Sequence, residues 1–156
     1  LAAYGRNLYI LSSSKNQIYK YSRLRSNFSS ATEYNGDADL AGAISIAIDG
    51  DVYVLKKGGE IIKLFKSKKQ PFTIEDLAVD IGSVSQLFTT IENNRLYLLD
   101  NVNKRVVIIE KDKNGVARYL GQVVFEELGD VNDLYVDKNE SKLYLLSDQK
   151  IYQVEL

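Results

Sequence analysis

Leu8-Tyr9-Ile10-Leu11, Val52-Tyr53-Val54-Leu55, Leu96-Tyr97-Leu98-Leu99 and Leu143-Tyr144-Leu145-Leu146 are four versions of one quartet, and their first residues lie 44, 44 and 47 residues apart. Eight to ten residues after each start comes a second apolar run: Ile18-Tyr19-Lys20-Tyr21, Ile61-Ile62-Lys63-Leu64, Val106-Val107-Ile108-Ile109 and Ile151-Tyr152-Gln153-Val154. Turn formers separate the two runs, as in Lys57-Gly58-Gly59 and Asp100 to Asn103. Apolar run, polar turn and apolar run make a β-hairpin. A third run precedes each hairpin: Leu1 to Tyr4, Ile44 to Ile48, Leu87 to Ile91 and Leu134 to Val136. A weaker fourth follows around Ser30 to Tyr34, Phe72 to Ile74 and Val116 to Phe125.

The unit is thus a four-stranded antiparallel meander, and its period and strand count are those of a β-propeller blade. The quartets read as continuous apolar runs because stacked blades cover each sheet on both faces. The fold expected is all-β, with blades at approximately 1–40, 41–83, 84–130 and 131–156, the last without its outer strand. Asn35-Gly36-Asp37 and Asp112-Lys113-Asn114-Gly115 suit tight turns that need positive φ. Thr73 with Asp76 also resembles a capping box, which makes a short helix from Thr73 to Ile81 the rival reading of that segment.

Four blades left as an arc expose two apolar faces, which monomers rarely tolerate. Three readings follow: a piece of a six- to eight-bladed ring, a ring completed by a second copy, or a closed four-bladed ring. The chain has 156 residues and no Met, which points to a fragment or a processed product. It lacks the charged start and long apolar core of a signal peptide at Leu1 to Arg6. Without Cys, His or Trp, thiol nucleophiles, imidazole bases and the usual zinc or haem sites are excluded, and no cofactor is expected. Twenty Lys and Arg against 21 Asp and Glu leave a net charge of −1, with no nucleic-acid signature.

The hairpin from Asn94 through Leu96-Tyr97-Leu98-Leu99-Asp100-Asn101 to Lys104-Arg105-Val106-Val107 resembles the NHL-type propeller repeat. In that family an Asp and an Asn stand at the hairpin turn. The fourth repeat, from Asp133 to Leu146, is similar. As a whole the chain resembles the C-terminal propeller of uncharacterised bacterial membrane-anchored proteins, which implies an extracytoplasmic setting. Ser12 stands where the third repeat has Asp100, which makes the turn Asp a feature of the fold.

In a meander, one end of each blade holds the links between blades and the hairpin turn, and the other end holds the remaining two turns. Sorting loop charges this way gives one acidic and one basic end. Asp37, Asp39, Asp80 and Asp130 lie at the acidic end, where a cation could be held by several oxygens. The plainer reading is turn-forming Asp, since no Asp-x-Asp-x-Asp-Gly loop is present. Arg23, Arg25, Lys66, Lys68, Lys69, Lys111 and Lys113 make a basic rim suited to an anionic membrane surface, or simply to solubility. Asn27-Phe28-Ser29 and Asn139-Glu140-Ser141 match glycosylation sequons by pattern only.

No catalytic constellation is recognisable. The function expected is a non-catalytic scaffold for a protein, peptide or glycan, or a sensor domain outside the membrane. One alternative is a metal-dependent lactonase-type enzyme, for which Asn132 and Asp133 beside an inner strand are the available groups. The other is a purely structural assembly module.

Overall fold

A computed structural model describes residues 1–112, 114–148 and 150–156. Its strands fall into four sheets in chain order, the blades of a β-propeller arrangement. Blade 1 is formed by β1 (Ala2–Tyr4), β2 (Asn7–Ser12), β3 (Gln17–Ser22) and β4 (Thr32–Glu33). Blade 2 contains β5 (Ala43–Ile48), β6 (Val52–Lys56), β7 (Ile61–Phe65) and β8 (Lys68–Gln70). The next strand in sequence, β9 (Thr73–Glu75), belongs to blade 3, with β10 (Gln86–Phe88), β11 (Arg95–Asp100), β12 (Arg105–Lys111) and β13 (Val116–Val124). Blade 4 is the three-stranded sheet of β14 (Val131–Val136), β15 (Lys142–Ser147) and β16 (Lys150–Glu155).

The meander, the quartets on the second strands and the missing outer strand of blade 4 agree with the repeat pattern. One strand does not. Phe72 to Ile74 reads as the outer strand of blade 2, yet that place is taken by β8, which pairs Leu64 with Lys69 on β7. The chain then crosses to the neighbouring blade, where β9 lies parallel to β13 with Ile74 opposite Ala117. Proline explains the switch. Pro71 follows β8 directly, has no N–H to donate to a ladder, and ends the pairing with β7. Beyond it Phe72 and Ile74 pack into the apolar layer between blades 2 and 3. The rival helix gives way to this strand, and Asp76 ends it with a left-handed φ of 55°.

Apolar packing is concentrated in three layers, each between consecutive blades. Tyr9, Ile18, Val52, Val54 and Leu64 unite blades 1 and 2. Tyr53, Leu55, Leu96, Leu98 and Val107 unite blades 2 and 3. Tyr97, Leu99, Leu134, Leu143 and Leu145 unite blades 3 and 4. Among the described residues these layers join blade 1 to 2, 2 to 3 and 3 to 4. The tyrosines follow the seams: Tyr9, Tyr53 and Tyr97 are buried, whereas Tyr144 on the last blade is only half-buried.

Polar links clamp the same seams. The Tyr97 hydroxyl donates to Glu140 Oε1 at 3.1 Å, and the Arg95 backbone N–H donates to the same oxygen at 3.0 Å. The Tyr97 phenol is held far above its ordinary range, first by burial and then by the Glu140 charge. Between blades 2 and 3, Lys111 Nζ pairs with Asp49 and also donates to Thr89 Oγ1 at 2.7 Å and to the Asn93 carbonyl at 2.9 Å.

Candidate functional site

The inner strands β1, β5, β10 and β14 face a common axial cavity of about 1200 Å³, lined by residues of all four blades. Their register places three polar side chains at one level. Ser45 pairs with Leu55, Gln86 with Leu99 and Asp133 with Leu146, the last residue of each quartet in blades 2, 3 and 4. These side chains reach from one blade to the next. Ser45 Oγ accepts the Leu87 N–H at 3.1 Å, and Gln86 Nε2 donates to Asp133 Oδ1. Asp133 Oδ1 also accepts its neighbour Leu134 N–H at 2.9 Å. Asn132 beside it donates to Asp148 Oδ1 at 3.3 Å.

An aromatic pair stands in the same wall. Phe88 and Tyr135 meet edge to face with ring centroids 5.6 Å apart, and Tyr135 remains 53% exposed. The cavity therefore offers amide, hydroxyl and carboxylate groups beside an open aromatic surface. Gln86, Ser45, Phe88 and Tyr135 were not marked by the sequence. Their signal was present all the same: polar residues interrupting the inner strands at the position opposite the fourth quartet residue.

The acidic candidates do not come together. Among the described residues no group of three carboxylates is placed to hold a metal ion. Asp39 Oδ1 accepts the Ala41 N–H at 3.0 Å and its other oxygen pairs with Lys56 at 3.5 Å. Its carboxyl is held below the usual range by that backbone hydrogen bond first, then by Lys56 and Lys69. Asp80 Oδ1 accepts the Gly82 N–H at 2.8 Å, Asp130 pairs with Lys104 at 2.8 Å, and Asp37 is exposed. Asp39, Asp80 and Asp130 are thus engaged in turns and surface pairs; of the acidic candidates Asp133 lines the cavity, which Glu92 lines as well.

The basic candidates separate too. Arg23, Arg25 and Lys66 are exposed, but Lys68 and Lys69 belong to strand β8 and not to a loop. Lys111 is buried in its pair with Asp49, its side chain only 10% exposed, and is removed from any open rim. Lys113 lies outside the described residues. The division into an acidic and a basic end also fails at the outer edge. A Cβ on Gly36, in the link after blade 1, would stand 2.2 Å from the Ser67 carbonyl in the β7–β8 turn. A flat meander puts that link and that turn at opposite ends, yet they touch, and Lys69 lies close enough to act on Asp39. Twist across each sheet swings outer strands far from the axis direction and mixes the two ends.

Asp100, at the hairpin turn of blade 3, is fully buried. Its Oδ1 accepts from Ser83 Oγ at 2.8 Å and its Oδ2 from Asn103 Nδ2 at 2.8 Å and Arg105 Nε at 3.0 Å. Arg105 continues to the Asp80 carbonyl at 2.6 Å. Burial alone would raise the Asp100 carboxyl, but the donors from Asn103, Ser83 and Arg105 outweigh it and lower the pKa. The turn Asp holds a hairpin to the link before the blade, and it has no access to the cavity.

No family model matches the sequence, and a search of curated proteins finds no match either. Solved structures match by shape. A chain in the crystal structure of a nidogen/laminin complex aligns with a TM-score of 0.63 at 16% identity, over 90% of this chain and 54% of that one. The major allergen Mala s 1 of Malassezia sympodialis aligns at 0.56 and 16% identity, over 89% and 48%. A functionally unknown protein from Desulfotomaculum acetoxidans aligns at 0.55 and 14% identity, over 89% and 44%. At such identities the likeness defines a fold, the β-propeller. The chain spans about half the length of each of these structures.

Proposed function

We propose that this chain is a non-catalytic binding module whose ligand, a peptide or glycan, docks in the axial cavity. The observation that carries the reading is the hydrogen-bonded girdle of Ser45, Gln86 and Asp133 beside the exposed ring of Tyr135. Polar groups of that kind orient a neutral polar chain, and an open aromatic face supplies contact area at small entropic cost. Of the two carboxylates in the cavity wall, Asp133 and Glu92, Asp133 is held by an amide and a backbone N–H and serves as a hydrogen-bond acceptor for a ligand. The NHL-type resemblance of the Asn94 to Val107 hairpin supports a scaffold role, because Asp100 there is consumed by the fold.

Arrays of neutral oligosaccharides and short peptides, followed by calorimetric titration of the hits, test the reading. Gln86→Ala and Tyr135→Ala should each weaken a true ligand by about tenfold, while Lys66→Ala on the outer rim leaves it unchanged. Binding that ignores both cavity variants rejects the site. Millimolar calcium should leave the melting temperature in place; a clear rise favours the metal-dependent enzyme instead.

A further inference from the structure

The cavity wall differs in charge from the rest of the molecule. Over the whole sequence 20 Lys and Arg nearly balance 21 Asp and Glu. Away from the axis the acids stand beside bases: Asp39 and Glu60 share Lys56, Asp51 pairs with Lys63 and Asp130 with Lys104. Among the described residues that line the cavity there is no Lys or Arg, and the charged side chains are those of Asp133 and Glu92. Neither is in an ion pair with another described residue. A concave wall of one sign focuses its field and concentrates counter-charge from solution.

The surroundings of Asp133 say what kind of counter-charge fits. Both of its donors, the Gln86 amide and the Leu134 N–H, reach Oδ1, so Oδ2 has no donor among the described residues. Gln86 and Phe88 lie two apart on β10, and Asp133 and Tyr135 two apart on β14, so each pair shares one face of its strand. All four line the cavity. The carboxylate therefore stands one step along the wall from the edge-to-face pair of Phe88 and Tyr135, and aromatic ring faces attract cations too. A hard metal ion fits poorly, because it needs several oxygens at one point and no three acidic groups converge among the described residues.

We propose that the cavity selects an organic cation, the ammonium or guanidinium of a Lys or Arg side chain on a peptide, with Asp133 as its partner. The proposal rests on the reading of the cavity as a ligand site and chooses the peptide over the neutral glycan. Ser45 and Gln86 serve the peptide main chain, and Asp133 Oδ2 accepts from the side-chain cation. The Phe88–Tyr135 pair packs on its aliphatic stem. Glu92, in the turn beyond β10, extends the negative field along the axis.

Calorimetric titration with two short peptides tests the proposal. Both are acetylated and amidated at their ends, and they differ only in carrying Arg or Gln between flanking glycines. The Arg peptide should bind about tenfold more tightly, as a charge-assisted hydrogen bond requires, and should weaken as salt is raised. Asp133→Asn keeps an oxygen for the Gln86 and Leu134 donors and should erase the preference. Asp37→Asn removes the same charge from an exposed site outside the cavity and should leave the preference intact. Equal binding of the two peptides, lost in Gln86→Ala, overturns the selection of a cation while the cavity remains the ligand site. An Arg preference that survives Asp133→Asn, or falls equally in Asp37→Asn, overturns the role of Asp133. Failure of both peptides to bind overturns the proposal, and failure of the glycan and peptide arrays as well removes the ligand site itself.

Discussion

Val52 to Leu55 in blade 2 and Leu143 to Leu146 in blade 4 occupy the same strand of the same meander, yet they meet different surroundings. Every residue of the first is buried. In the second, Leu143 and Leu145 are buried while Tyr144 and Leu146 are not. Blade 3 repeats the first case from Leu96 to Asp100, and blade 1 repeats the second, with only Tyr9 buried on β2. The difference lies in the neighbours and not in the strands. A blade's second face is buried only if another blade stands against it, so identical patterning produces a sealed sheet inside the array and a half-open one at its ends. The open faces retain inner-blade chemistry, with Tyr and Leu where an end cap would carry charge.

The sharpest break in that comparison is at the hairpin turns. Asp100 in blade 3 is buried against Arg105, while blade 1 has Ser12 at the corresponding turn. Asp100→Ala leaves Arg105 without its partner and should cost about 3–5 kcal/mol in chemical denaturation. The pH dependence has a definite sign. The Asp100 carboxyl is lowered from its ordinary 3.8 on folding, so its contribution is complete above that value. It is lost as the pH falls through the still lower folded pKa. The Asp100→Ala variant should therefore lose less stability than the parent on acidification below pH 3.8. A Ser12→Ala change should cost under about 1 kcal/mol, because no buried charge depends on it. Equal losses at the two turns would mean that Asp100 is not the clamp its hydrogen bonds describe.

Next in size is the pair of quartet tyrosines. Tyr97→Ala removes a fully buried ring and the hydroxyl that reaches Glu140, and should cost about 3–5 kcal/mol. Tyr144→Ala, at the same repeat position on a half-open face, should cost about 1 kcal/mol or less.

Blade architecture was legible because the signal is repeated: the quartets recur at nearly constant spacing, and the hairpin turns fall where polar residues separate apolar runs. Two things were hidden. The transfer of β9 to blade 3 depends on Pro71 ending one ladder and on a parallel edge being free next door, and a run as short as Phe72 to Ile74 names no partner. The cavity girdle was hidden because Ser45, Gln86 and Asp133 are ordinary residues one at a time. Only the register that sets each opposite a quartet's last residue brings them to one level. Charges misled for a related reason. Sorting loops by blade end treats sheets as flat, whereas twist carries the link at Gly36 onto the turn at Ser67.

A smaller effect separates two glycines of blade 3. Gly115 has a φ of 85°, and a Cβ there would stand 2.2 Å from the Pro71 carbonyl. Gly115→Ala should therefore destabilise by about 1–3 kcal/mol, since it strains the backbone and pushes away the segment that delivers β9. Gly121, on β13 of the same sheet, has open space at its Cβ position. Gly121→Ala should be neutral or stabilise by about 0.4–1 kcal/mol through the unfolded chain. Urea midpoints read both. The comparison bears on the strand transfer: if β9 were not held at this edge, Pro71 would be free to retreat and the two substitutions would differ only by the cost of positive φ. Amide exchange at Thr73, whose N–H donates to the Gly115 carbonyl at 2.9 Å, separates the cases. Protection there should fall in Gly115→Ala and stay unchanged in Gly121→Ala, and equal protection in both would detach β9 from blade 3.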